Sequence, residues 1–260
     1  MERGTVTTRN ADVNRLIKNA RWGMYSNYLS IPTDCPQRDE RMGWCGDTQV
    51  FAPAAFRFAD AYGFLAKWMT DMRDAQSAGE DGLYPAVAPM MSWGAVKWGR
   101  LGWADAGVAV PWTAWRMTGD TRIVEENWDS MSRYVDRIAL TQHRTTDGFQ
   151  WGDWVSYEQI TPTGSWPADH QWDGRYLLPE AQKYFDYLGG CYWLMDARRM
   201  ADMAKATGRG EDAQRYSEIM HTLFIHNRVP SLSHCECGLE QRILHTCLHS
   251  PVPTQCSCQR

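Results

Sequence analysis

Apolar residues recur along most of this chain at intervals of three and four, the period of an amphipathic helix. Val13, Leu16, Ile17, Ala20, Met24 and Tyr28 trace the first such face, with Asn10 or Asp12 placed to cap it. Residues 48–75 predict two helices or one broken one, because Pro53 suits a helix start better than a middle. Phe64, Leu65, Trp68, Met69 and Met72 mark the second part. Another helix is expected over 104–118, with a kink or a start at Pro111. Ile123, Trp128, Met131, Tyr134, Val135, Ile138 and Leu140 give the next, and 181–205 and 211–227 give a final pair. No strict alternation runs long enough to predict a main strand, so short strands are left to the loops. The fold class is all-α.

A repeat orders these helices. Met117-Thr118-Gly119-Asp120 ends one helix, and Ala206-Thr207-Gly208-Arg209 ends another 89 residues later. Glycine is a natural helix stop. If that interval holds two hairpins, each is about 45 residues long. Antiparallel pairs of this size, closed in a ring, make an (α/α)6 toroid. The helical part has room for about four to five hairpins, so the toroid is expected to be incomplete at the C-terminus. Three long polar stretches, 30–45, 77–102 and 143–180, hold Trp, Tyr, Gly and Asp and little Ser or Lys. Loops of that length are usually functional or disordered, and this composition favours function. They are expected to gather at one end of the helices and build a cleft.

Composition narrows the function. A chain of 260 residues can bury a large core, and its net charge of −4 with no basic stripe argues against nucleic acid as a partner. Apolar runs are short and broken by charge, so no membrane span is expected. The opening Met-Glu-Arg-Gly-Thr-Val-Thr-Thr has no apolar core, so no signal peptide is expected either. Oligomeric state is open. All 14 tryptophans lie between Trp22 and Trp193. Most should pack the core, but indole also stacks on the C–H face of a pyranose.

Cysteine divides the chain. Only Cys35, Cys45 and Cys191 precede residue 230, whereas Cys235, Cys237, Cys247, Cys256 and Cys258 crowd the end among His234, His245 and His249. A zinc site is one reading. The Cys-x-Cys pairs fit no familiar finger spacing, and the segment lacks Trp and helical period. Residues 229–260 are therefore read as a non-homologous, irregular tail, such as a frame-shifted end, with no metal and no cofactor. Residues 1–228 form the partial helical domain.

Residues 33–47 carry the densest chemistry: Thr-Asp-Cys-Pro-Gln-Arg-Asp-Glu-Arg-Met-Gly-Trp-Cys-Gly-Asp. Asp34, Asp39, Glu40 and Asp47 alternate with Arg38 and Arg41 around Trp44. A solvated loop has no need of the Trp, and a buried segment does not tolerate the charges. The mixture suits a concave site with acid–base carboxylates and an aromatic wall. A helix after Pro36 would set Glu40, Trp44 and Asp47 on one face. Negative neighbours and a Trp wall would then keep the Glu40 carboxyl protonated. The alternative is a structural salt-bridge cluster, which explains the arginines and acids but not the Trp and glycines.

The run Asp34–Asp47 resembles the signature of the bacterial α-L-rhamnosidases, glycoside hydrolase family seventy-eight. Gly102-Trp103-Ala104-Asp105-Ala106 and Gly152-Asp153-Trp154 resemble the same family, and the resemblance covers roughly residues 8–225. It implies an (α/α)6 catalytic domain, inverting hydrolysis and a rhamnose-containing glycoside as partner. By this resemblance Glu40 is the general acid. Asp34, Arg38, Trp44, Asp47, Trp103 and Trp154 line the sugar subsite. The family's general base lies on a later hairpin that nothing after residue 228 resembles, so the chain as written is expected to turn over poorly. Two other readings stay open: a different six-hairpin carbohydrate enzyme, and a non-catalytic sugar-binding remnant.

Overall fold

A computed structural model describes residues 4–39, 41–79, 81–90, 98–141 and 179–226. It holds, among these residues, α1 (Ala11–Asn27), α2 (Cys45–Phe58), α3 (Tyr62–Ala78), α4 (Ala106–Thr118), α5 (Arg122–Thr141), α6 (Pro179–Ala206) and α7 (Gly210–His226). Strand pairing is limited there to isolated bridges, Tyr28 with Pro32, Trp44 with Val87 and Pro85 with Trp98. None of the described helices is long and apolar enough to cross a membrane. The 229–260 tail, and the zinc question with it, lies outside the described residues.

Local chemistry sets the helix ends. Asn10 caps α1, its side chain accepting from the N–H groups of Asp12 and Val13. Gly119 closes α4 with φ 76°, and Gly208 follows α6 with φ 74°. This left-handed backbone costs glycine nothing and a β-carbon much, which is why both Thr-Gly pairs stop a helix. Pro53 and Pro111 do not mark helix starts, however; both sit inside helices. Pro53 is on the exposed side of α2, where water can serve the carbonyl it leaves without a donor. The burial of Ala52, Ala55 and Phe56 beside it holds the helix together.

The helices pack in two layers. α2, α4 and α6 touch in sequence as one layer, and α3 packs on α5 behind them. α4 sits at the centre, against α2, α3, α5 and α6. Its Ala106, Gly107, Val108, Ala109, Val110 and Ala114 are all buried, and such small residues let four neighbours approach. α5 turns one apolar face inward with Ile123, Val124, Met131, Tyr134 and Val135 buried, while Glu125, Glu126 and Asp129 stay outside. Gln76 of α3 ties this layer by donating to the carbonyls of Gly82 (2.7 Å) and Ser130 (2.9 Å). α1 is the loosest, with Met24 its only fully buried residue and Leu16 and Trp22 exposed.

Connections alternate in length. Those from α2 to α3, α4 to α5 and α6 to α7 are three residues each, 59–61, 119–121 and 207–209. So short a link makes each pair antiparallel. The intervening connections, 28–44, 79–105 and 142–178, are long, and the last lies outside the described residues. The Thr-Gly turns at 119 and 208 join α4 to α5 and α6 to α7, neighbouring hairpins among the described residues. The expected 45-residue hairpin length falls on an interval that includes 142–178, which lie outside the described residues. The described residues hold three hairpins and α1, and the expected four to five hairpins span a stretch that includes 142–178, outside them.

Candidate active site

Two of the long connections meet. Residues 42–45 run beside 86–88: the Cys45 N–H donates to the Ala86 carbonyl (3.0 Å) and the Ala88 N–H to the Gly43 carbonyl (3.0 Å). This pairing claims the backbone that a helix after Pro36 would need. α2 consequently begins at Cys45, with Trp44 as its N-cap, and the expected helical register of Glu40 with Trp44 and Asp47 does not form. Arg41, at φ 44°, turns its guanidinium back to the Pro36 carbonyl (2.9 Å). Trp68 of α3 supports the paired segments from the core, fully buried and donating to the Ala88 carbonyl at 3.0 Å.

The pairing brings two of the expected wall residues together. Met42, Ala86 and Val87 form a small buried apolar cluster, and Trp44 and Trp103 both pack on it, half-buried. Trp103 also lies against the first turn of α2. A β-carbon at Gly46 would stand 2.8 Å from its Nε1, so only glycine lets the ring come this close. Asp47 is exposed in that same turn. Asp34 is half-buried; one carboxylate oxygen accepts from the Cys35 thiol (3.0 Å), and the other is buried without a donor among the described residues. Arg38 is exposed in the turn after Pro36. Glu40 and Trp154 lie outside the described residues.

Behind this wall is an acid pair to which the sequence assigned no role, Asp105 from within the Gly102–Ala106 motif and Asp196 from outside any motif. Asp105 and Asp196 are both buried. Asp105 accepts from the Gly102 N–H and from the Tyr134 hydroxyl (3.0 Å). Asp196 accepts from Arg199 (2.9 Å) at one oxygen, and its carboxyl lies beside that of Asp105. Burial pushes both carboxyls upward, and the neighbouring Asp105 pushes Asp196 further, well above the usual carboxylate range. Two carboxyls in such contact share one proton. The Cys45 thiol is raised too, by its burial first and then by Asp47 and Asp105. A signal existed in the sequence: Asp196 interrupts an otherwise apolar helical face among Trp193, Ala197 and Met200, and Asp105 stands between two alanines just before α4.

The pair makes stability pH-dependent. Its folded-state proton affinity exceeds that of the unfolded chain, so the folded state binds the extra proton above the ordinary aspartate value of ~3.9. Stability from this source is complete below that value and is lost as pH rises toward the pair's own range. Asp196→Asn supplies a permanent N–H donor to Asp105 and an oxygen for Arg199. Thermal unfolding followed from acid to alkaline pH should show a flatter decline in Asp196→Asn than in the wild type. Parallel curves would show that no shared proton exists.

Comparison with known proteins places this architecture. The model of the bacterial α-L-rhamnosidase six-hairpin glycosidase domain matches residues 1–225. An α-L-rhamnosidase of Alteromonas sp. (strain LOR) is 31% identical over 216 residues, covering 82% of this chain and 22% of its own. One from Streptomyces avermitilis is 41% identical over 153 residues, 58% of this chain and 14% of its own. The chain thus spans under a quarter of these curated relatives' length. Among solved structures, the Streptomyces avermitilis α-L-rhamnosidase complexed with L-rhamnose superimposes with a TM-score of 0.65 at 33% identity, over 84% of this chain and 18% of that one. The Dictyoglumus thermophilum α-L-rhamnosidase gives 0.68 at 30% identity, over 85% of this chain and 23% of that one. The packed helical hairpins are part of a six-hairpin glycosidase fold, and the chain belongs to the bacterial α-L-rhamnosidase family.

Proposed function

We propose that this chain carries the acid half and much of the sugar subsite of an inverting α-L-rhamnosidase. The reading rests on one arrangement above all: Trp44 and Trp103, from separate connections, flank one apolar cluster at the start of α2. Indole faces there suit the C–H face of a deoxy sugar. Asp34 has a buried carboxylate oxygen open to a donor, which a sugar hydroxyl can fill. Arg38 and Asp47 reach solvent on the same segment and can take further hydroxyls. Trp154 is assigned to the same pocket by family resemblance. The rhamnose in the Streptomyces avermitilis complex supports this choice of ligand.

Glu40 is the general acid in this reading. It protonates the glycosidic oxygen as the bond to the anomeric carbon breaks. A second carboxylate ~6.5–9.5 Å away activates water on the opposite face, and no residue of this chain is assigned that role. Calorimetry with L-rhamnose tests the subsite. Turnover of p-nitrophenyl α-L-rhamnoside, against α-glucosides and unsaturated uronides, tests the activity. Binding of rhamnose with preference for the rhamnoside is expected. Preference for a glucoside or uronide would move the chain to another six-hairpin activity, and failure to bind rhamnose would end the reading.

A further inference from the structure

We propose that Asp105 and Gln49 act as positioning residues for the sugar subsite, clamping the Gly102 backbone from both sides so that Trp103 is held against the first turn of α2. The inference rests on the reading of Trp103 as a subsite wall. The Gly102 N–H donates to the Asp105 carboxylate, and the Gly102 carbonyl accepts from Gln49 Nε2. Both clamping side chains are buried, Asp105 completely and Gln49 at 8% exposure. They come from different elements, Gln49 from α2 and Asp105 from the N-cap of α4.

Asp105 stands where an N-cap residue would bond the first turn of α4. It makes no such bond. It turns back to Gly102 instead, so its hydrogen-bonding capacity serves the turn and not the helix. Its other oxygen is gripped by Tyr134 of α5, which fixes the carboxylate from below. Tyr192 of α6 lies near Gly102 on a further side, 3.4 Å from where a β-carbon would stand. The turn itself is tight: the Trp103 and Ala104 N–H groups both donate to the Arg100 carbonyl, at 3.0 and 2.8 Å. Trp103 follows Gly102 directly, so a fixed Gly102 peptide fixes where the indole leaves the backbone. On the far side Gly46 receives the ring with no space for a β-carbon. Release of the clamp frees Trp103 to tilt off α2 and away from Trp44.

The test is L-rhamnose calorimetry on the wild type and on Trp103→Ala, Asp105→Ala, Gln49→Leu and Asp105→Asn, each checked for cooperative thermal unfolding. Asp105→Ala and Gln49→Leu should each raise Kd about tenfold, the size of a coupled-neighbour effect. Asp105→Asn keeps an acceptor for the Gly102 N–H and should restore most of the affinity. The double variant Asp105→Ala/Trp103→Ala should bind no more weakly than Trp103→Ala alone, an outcome a general loss of packing would not give. If Asp105→Ala does not fold, Gln49→Leu decides, since it leaves the buried acids untouched. Folded clamp variants that bind like the wild type, beside a weakened Trp103→Ala, would overturn the clamp and leave the subsite standing. A wild type that ignores rhamnose would take down the subsite reading and the clamp with it.

Discussion

Glu40→Gln is expected to lower kcat for an aryl α-L-rhamnoside by ~10²–10⁴-fold, the range for loss of a general acid, with the affinity for L-rhamnose largely unchanged. Gln fills the same space and can still hydrogen-bond the sugar, but it has no proton to give the departing oxygen. The loss therefore falls on the transition state and not on ground-state binding. Leaving-group dependence sharpens the test. An activated aryl group departs with little protonation, so the variant should keep more activity on p-nitrophenol than on an alkyl aglycone. The measurement belongs on the longest form of the protein that shows turnover. Equal activity of Glu40→Gln and wild type on both aglycones would remove Glu40 from the acid's role.

Trp68→Ala should be the most destabilising single change around the site, about 3–5 kcal/mol by comparison with other buried aromatic truncations. Trp68 has no exposed surface, and its indole N–H serves the Ala88 carbonyl. Truncation leaves a cavity behind the paired segments 42–45 and 86–88 and strips that carbonyl of its donor. Denaturant unfolding should show a lower midpoint at unchanged slope. Rhamnose affinity should fall as well, because the cluster under Trp44 and Trp103 stands on those segments. Trp68→Phe restores volume but no donor, so it should recover most of the stability. A Trp68→Ala variant within 1 kcal/mol of the wild type (roughly the surface-substitution range) would contradict the burial described.

Local signals in the sequence carried further than distant ones. Asn10 as a cap and Gly119 and Gly208 as stops were legible because each acts on backbone within one helical turn. The apolar spacing of α5 was legible because it is amphipathic, with a polar face to contrast. Pro53 and Pro111, as helix starts, were outweighed by packing: Ala52, Ala55 and Phe56 around the first, and the buried run of α4 around the second. At the site, residue types pointed to Trp44 and Trp103, but their shared cluster depends on the 42–45 and 86–88 pairing, which no local pattern announces. The contact of Asp105 with Asp196 is longer in range still, joining the start of α4 to the middle of α6.

The three-residue links at 59–61, 119–121 and 207–209 give the molecule a back. Antiparallel helices put all three at the end opposite the long connections, and Asp60 and Gly119 there are exposed. A single anchoring group introduced at position 60 would fix the protein to a bead or an electrode in one orientation, and Gly119, held at φ 76°, is left as it is. Its chemistry-bearing face would then look outward. Random coupling through scattered lysines such as Lys18 and Lys67 would hold the bundle sideways and shade part of that face.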